Sequence, residues 1–137
     1  MGGGTNVPEI IIGDGCNIGQ RFSILAGGKV HIGNGVLIAS DVLITSENHS
    51  IDPEAGALYM DQPLICKDVI IKNGCWIGEK VVIMPGVVIG EKSVIGAGSV
   101  VTKNIPDYSI AVGNPAKVIK QYDFENHKWD LIESGGK

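Results

Sequence analysis

Three histidines, one arginine and a handful of carboxylates carry most of the chemistry open to this 137-residue chain. His49 stands in the polar stretch "TSENHSIDPEAG". A neutral imidazole, with an unperturbed pKa of about 6.5, is suited there to take a proton at physiological pH. The plain alternative is a solvated loop histidine without a role. Glu47 and Asp52 lie close enough in sequence to orient the ring by accepting its other proton, and a backbone carbonyl would serve as well. His31 precedes His49 by eighteen residues. If three six-residue repeats make one coil, the two rings would stack on one edge and share a metal or couple their protonation. An outward-facing strand histidine is the simpler reading. His127 lies in the tail, so a three-histidine zinc site would have to form across subunits. Arg21 could pair with a carboxylate or phosphate of a ligand, or simply face water.

The cysteines offer less. Cys16, Cys66 and Cys75 are an odd number without CxxC spacing, which reads as buried thiols in a reducing compartment rather than a disulfide framework or zinc site. A net charge of −4 gives no broad basic surface for nucleic acid. No apolar run approaches membrane-spanning length, and "MGGGTNVPE" lacks a secretory pattern, so a soluble cytoplasmic protein is expected.

The elements that must position these residues are legible in a six-residue rhythm. Aliphatic residues recur at Ile65, Ile71, Ile77, Ile83, Ile89, Ile95 and Val101, and upstream at Ile12, Ile18, Ile24, Ile32, Ile38 and Ile44. Small or β-branched residues such as Cys16, Val36, Val69, Cys75, Val87 and Ser93 stand two positions earlier. Six is even, so in a strand both sets point to the same side. Glycine often follows the aliphatic residue, as at Gly33, Gly78 and Gly96, where a corner needs positive φ or a close backbone approach. Twenty glycines and only seven aromatic residues fit short strands joined by tight corners. The chain should wrap as an all-β solenoid, each turn stacked on the last by backbone hydrogen bonds. The rhythm breaks at residues 46–64, a loop inserted around His49. The expected organisation is a β-helix over residues 1–115 and, behind Pro115, a short C-terminal helix and tail over 116–137.

The hexads "IGNGVLIA" and "CWIG", the "NHS" loop, "IGAGSVVTKNIP" and "GNPAKVIK" resemble the hexapeptide-repeat acyltransferases, among them the galactoside, maltose and polysaccharide O-acetyltransferases. The likeness covers roughly residues 10–120 and rests on several ordered motifs. It implies a left-handed parallel β-helix, a homotrimer, and acetyl-CoA bound between neighbouring subunits, with no metal required. It further implies His49 as general base for a sugar hydroxyl and the Glu79 amide as oxyanion donor. Trp76 would line the cleft between acceptor and CoA, and the Ala97 backbone would touch the pantetheine arm. Thr102, Lys103, Lys117 and Lys120 would reach the CoA phosphates, although lysines three apart on a helix also suit an ordinary solvated face. Trp76 is itself expected to point outward, where a large ring needs an apolar neighbour. Arg21 replaces acceptor-contacting asparagines of the galactoside members, and with Asp52 it is a candidate acceptor contact.

The expected function is transfer of acetyl from acetyl-CoA to a hydroxyl of a sugar or glycan precursor. N-acetylation of a nucleotide-linked amino sugar would use the same fold and cofactor. A β-helix scaffold without catalysis predicts that CoA does not bind, and a metal-dependent hydratase predicts bound zinc.

Overall fold

The computed structural model describes residues 7–132. Three parallel sheets form the faces of a triangular prism. Face A holds β1 (Glu9–Ile12), β4 (Lys29–Ile32), β9 (Val69–Ile71) and β12 (Val88–Ile89). Face B holds β2 (Asn17–Ile18), β5 (Leu37–Ile38), β10 (Trp76–Ile77), β13 (Val94–Ile95) and β15 (Ser109–Gly113). Face C holds β3 (Ser23–Leu25), β6 (Leu43–Thr45), β11 (Val82–Ile83) and β14 (Val100–Val101). The fold expectation holds: this is a parallel β-helix.

Register gives the coil lengths. Glu9 pairs with Lys29, Val30 with Val69, and Ile70 with Val88, so successive coils take twenty, thirty-nine and eighteen residues. Eighteen is three hexads. The second coil carries the inserted loop, which leaves the corner between faces C and A. In it β7 (Glu47–His49) pairs antiparallel with β8 (Leu64–Cys66).

The hexad positions make the core. Ile32, Ile38, Ile44, Ile71, Ile77, Ile83, Ile89 and Ile95 are buried, with Val36, Val42, Val69, Cys75, Val81 and Val87 beside them. Each such aliphatic side chain contributes roughly 1.5–3 kcal/mol by leaving water. Three members depart from the pattern. Ile12 and Ile18 belong to the first coil, with no further coil of the described residues stacked on their outer side, and stay exposed. Ile65 sits on the loop strand β8, not on a prism face, and is half-exposed.

The corners solve two separate problems. Directly after the aliphatic residue, a Cβ at Gly78 would lie 2.7 Å from the Ala97 nitrogen and 2.8 Å from the Ile95 oxygen, so only glycine lets adjacent coils approach. Three residues after the aliphatic residue the backbone is left-handed. Gly74 and Gly98 stand there, and so do Arg21, Asp41, Lys80, Lys92 and Tyr108.

The expected C-terminal helix is absent. Residues Ala116–Asp123 form β16, paired antiparallel to β15, and Lys128–Leu131 form β17, paired to β16. The free edge of β15 supplies a hydrogen-bond ladder, and Val118, Ile119 and Tyr122 favour a strand. A bulge explains the misleading pattern. Ile110 faces Lys120 and Ala111 faces Val118, which leaves Ile119 with no residue opposite. The extra residue breaks the period of two and leaves spacings that mimic an amphipathic helix. Residues 133–137 of the expected tail lie outside the described residues.

Candidate active site

At the corner between faces A and B side chains cap three backbone amides, while the amide of Asn73 itself makes no hydrogen bond among the described residues. The Asp14 N–H donates to Asn34 Oδ1 at 2.8 Å, the Asn34 N–H to Asn73 Oδ1 at 2.8 Å, and the Glu91 N–H to Asp107 Oδ1 at 2.7 Å. Each amide is capped by the residue one coil above it. The equivalent corner between faces B and C carries Ser40, Glu79 and Ala97, and among the described residues their amides make no hydrogen bond. Glu79 and Ala97 are exposed. Open amides at a corner are ready donors for an oxyanion or a carbonyl oxygen.

Glu79 and Ala97 border a cavity of about 310 Å³, walled also by Ala39, Trp76, Gly78, Val94 and Gly96. Trp76 is the outward residue of β10, stacked between Leu37 and Val94, and is 51% exposed. Thus Trp76, Glu79 and Ala97 come together in the structure.

Lys117 and Lys120 also share a side, for a reason not visible from their spacing. Lys117 faces Val112 and Lys120 faces Ile110, and those two residues lie on the outer side of β15 because Ala111 points into the core. The bulge at Ile119 therefore brings both lysines to the outer surface of face B, above Trp76 and Val94. A regular strand would have put them on opposite sides.

His49 lies elsewhere. It is exposed on β7 opposite Leu64, at the corner between faces C and A, and its ring makes no hydrogen bond among the described residues. Thr102 and Lys103 follow β14 at that same corner and are exposed. A single chain thus separates His49, Thr102 and Lys103 from Trp76, Glu79 and Ala97 by one face of the prism. Neither expected carboxylate orients the imidazole here. Asp52 Oδ1 accepts the Glu54 N–H at 2.9 Å, and the Glu47 side chain lies against Gly27. The loop is instead held by Gln62, which is buried. Its Nε2 donates to the carbonyls of Asp52 and Ala57 at 2.9 and 3.0 Å, and its Oε1 accepts the Asp52 N–H.

His31 does not stack with His49. It pairs between Ile11 and Ile70 on face A, and its Nε2 lies 2.9 Å from Glu9 Oε1. The longer second coil carries His49 away from the face. Among the described residues no group of three or more His, Cys, Asp or Glu is placed to hold a metal ion.

Arg21 is already engaged. Its Nε and Nη2 donate to the Asp41 carboxylate at 2.5 and 3.0 Å, and Nη1 donates to Gln20. The guanidinium holds the Asp41 carboxyl below its ordinary value, and the carboxylate in turn raises Arg21. Cys75 belongs to the core and Cys16 packs against it, whereas Cys66 lies half-buried on the loop strand β8. Cys75 is buried and donates to the Gly90 carbonyl at 3.0 Å, and burial pushes its thiol up to about 11. A thiol so raised is a poor nucleophile.

Sequence reasoning missed the asparagine ladder, Gln62 and the aromatic residues of the terminal hairpin. The ladder had a signal: Asp14, Asn34, Asn73 and Asp107 all stand two positions after an inward isoleucine.

No helix of the described residues is long and apolar enough to cross a membrane. Residues 68–103 match the family described as bacterial transferase hexapeptide (six repeats), and residues 9–46 the hexapeptide repeat of succinyl-transferase. The chain is 36% identical to a putative lipopolysaccharide biosynthesis O-acetyl transferase of Escherichia coli K12, over 88% of this chain and 65% of that protein. It is 40% identical to the polysialic acid O-acetyltransferase of Escherichia coli O1:K1, over 85% of this chain and 38% of that protein. The chain therefore spans less than two thirds of the length of either relative. Among solved structures, a galactoside acetyltransferase in complex with coenzyme A superposes with a TM-score of 0.70 at 32% identity, covering 92% of this chain and 72% of that one. The repeat, the prism it builds and these matches agree: the chain belongs to the hexapeptide-repeat transferases.

Proposed function

We propose that the protein transfers an acetyl group from acetyl-CoA to a hydroxyl of a sugar or glycan, at sites formed between copies of the chain in a homotrimer in the cytoplasm. The observation that carries this reading is the open pair of amides at Glu79 and Ala97 beside a cavity walled by Trp76, an aromatic ring that the other corner, where three amides are capped, does not offer. The relatives named as O-acetyltransferases and the coenzyme A complex of a fold neighbour support the donor and the acceptor class.

In this reading a ring nitrogen of His49 takes the acceptor hydroxyl proton as that oxygen bonds to the thioester carbonyl carbon. The Glu79 N–H donates to the oxyanion of the tetrahedral intermediate. Collapse breaks the carbon–sulfur bond, and the departing CoA sulfur receives the proton from the imidazolium. No acyl-enzyme is needed, in keeping with the raised Cys75 thiol. Lys117 and Lys120, with Thr102 and Lys103 of a neighbouring copy, contact the CoA phosphates.

The separation of His49 from the cavity is the reason to invoke a second copy. The loop tip also presents exposed Ile51, Leu58, Tyr59 and Met60, an apolar set suited to rest against another subunit. Arg21 and Asp41 brace the cavity corner rather than grip the acceptor.

Thermal unfolding with acetyl-CoA tests the donor directly. A ligand at about 100 times its dissociation constant adds roughly 2.7 kcal/mol to the folded state. A raised midpoint that Trp76→Ala diminishes is expected. An unchanged midpoint at millimolar acetyl-CoA would sink the proposal and favour a scaffold.

A further inference from the structure

Five of the seven aromatic side chains surround one cavity, and none of the five belongs to the hydrophobic core. The cavity, of about 590 Å³, lies on the outer side of face B and is lined by Trp76, Tyr108, Tyr122, Phe124, Trp129 and Lys92. Tyr122 packs edge-to-face on Phe124 and Trp129, with ring centroids 4.9 and 5.3 Å apart, and Tyr108 packs on Phe124 at 4.9 Å. These contacts set the rings as fixed plates. Phe124 is nevertheless 59% exposed and Trp129 37%. The hydroxyls of Tyr108 and Tyr122, the indole N–H groups and the Lys92 ammonium have no partner among the described residues.

Trp76 belongs to two cavities at once: this aromatic one and the smaller one under the Glu79 and Ala97 amides. Strand direction separates what lies on either side of it. Face B strands run from the A–B corner to the B–C corner, and β16 runs back. Lys117 therefore sits toward the open amides, and Tyr122 toward the opposite corner. Lys120 lies between them, so a CoA molecule running from the open amides past Lys117 to Lys120 ends at the rim of the aromatic cavity, beside Tyr122.

We propose that the aromatic cavity binds the sugar units next to the one being acetylated, so that the acceptor is an oligosaccharide or polysaccharide segment rather than a single sugar. This rests on the reading of the Trp76 cleft as the transfer site. A pyranose ring offers an apolar C–H face and a rim of hydroxyls, and the cavity offers aromatic plates with unpaired donors at their edges. Lys92 adds one cation, which suits a sugar bearing a carboxylate. The adenine of CoA would also stack on such rings, but it lies at the far end of the pantetheine arm from the thioester, and the thioester must stand beside Trp76.

The test is binding of the purified full chain to an array of acidic and neutral oligosaccharides graded in length from the monosaccharide upward, with acetyl-CoA affinity measured in parallel. Affinity for one acidic series should rise by about tenfold or more from monomer to tetramer, which is 1.4 kcal/mol. Trp129→Ala should abolish that gain while acetyl-CoA affinity stays unchanged. Lys92→Gln, which leaves the rings packed, should weaken the acidic series alone. No length dependence in any series would overturn the proposal, as would a gain that survives Trp129→Ala. Loss of acetyl-CoA affinity in Trp129→Ala would reassign the cavity to adenine, and dissociation of the oligomer would reassign it to a subunit contact. Failure of the natural chain to bind acetyl-CoA would instead remove the transferase reading beneath it.

Discussion

Asn73 caps the backbone amide of Asn34 at 2.8 Å, one coil below it, whereas Ala97 leaves the corresponding amide of Glu79 open. The same corner geometry is thus capped on one edge of the prism and open on the next, where the proposed function puts ligand contact. Removing the cap in Asn73→Ala should cost about 1 kcal/mol, the net worth of one hydrogen bond with its amide left to water. Denaturant unfolding should show the lowered midpoint, with acetyl-CoA affinity unchanged. A variant as stable as the natural chain would mean that water replaces the cap at no cost.

The converse change tests the open corner. Ala97→Asn should place a carboxamide over the Glu79 amide, as Asn73 does for Asn34. Stability should be kept or raised, while turnover falls by about a hundredfold, the typical effect of losing one oxyanion donor. Unimpaired turnover with a stable fold would remove Glu79 from the mechanism.

The bulge at Ile119 makes a claim about the cofactor. Because it turns Lys117 and Lys120 to one surface, Lys117→Ala and Lys120→Ala should each weaken acetyl-CoA by about threefold to tenfold, more at low salt than at high. The rate at saturating donor should not change. Should only one of them respond, the shared surface would not be the phosphate contact.

Cys75 sets an alkaline limit. Burial raises its folded-state thiol to about 11 from an ordinary 9.0. Below pH 9 the thiol is protonated in both states and its contribution is complete. As pH climbs from 9 towards 11 the unfolded chain ionises while the folded one resists, so stability falls, in total by on the order of 2 kcal/mol. Cys75→Ser, whose hydroxyl does not titrate there, should flatten that slope in midpoint-against-pH measurements. An equal slope in both proteins would assign the loss to other groups.

Much of the architecture was written in the residues themselves. Ile71, Ile77, Ile83, Ile89 and Ile95 repeat every six positions because each coil must put an aliphatic side chain on each face, and nothing local competes with that demand. The loop around His49 was legible as the break in that repeat. The terminal hairpin was not, since a single unpaired residue, Ile119, shifts the alternation and the partner that makes β16 a strand is the edge of β15. Lys117 and Lys120 were picked out as a pair, yet their shared surface comes from the bulge and not from a helix. The engagement of Arg21 by Asp41 was hidden for a related reason. The two residues are twenty apart, and only the coil length brings them together. Whether Glu47 or Asp52 steadies His49 depended on loop conformation, which Gln62 decides from ten residues beyond Asp52.

The proposed transfer site takes His49 from one chain and the Trp76 cavity from another. Complementation tests it most directly. His49→Ala and Ala97→Asn alone should each keep about a hundredth of the natural activity or less. Refolded together in equal amounts, they should regain about a quarter of the natural activity, since random mixing in a closed ring leaves about one site in four with both parts intact. Mixed oligomers that form but stay inactive would contradict the account, because every chain would then carry one defect within its own site.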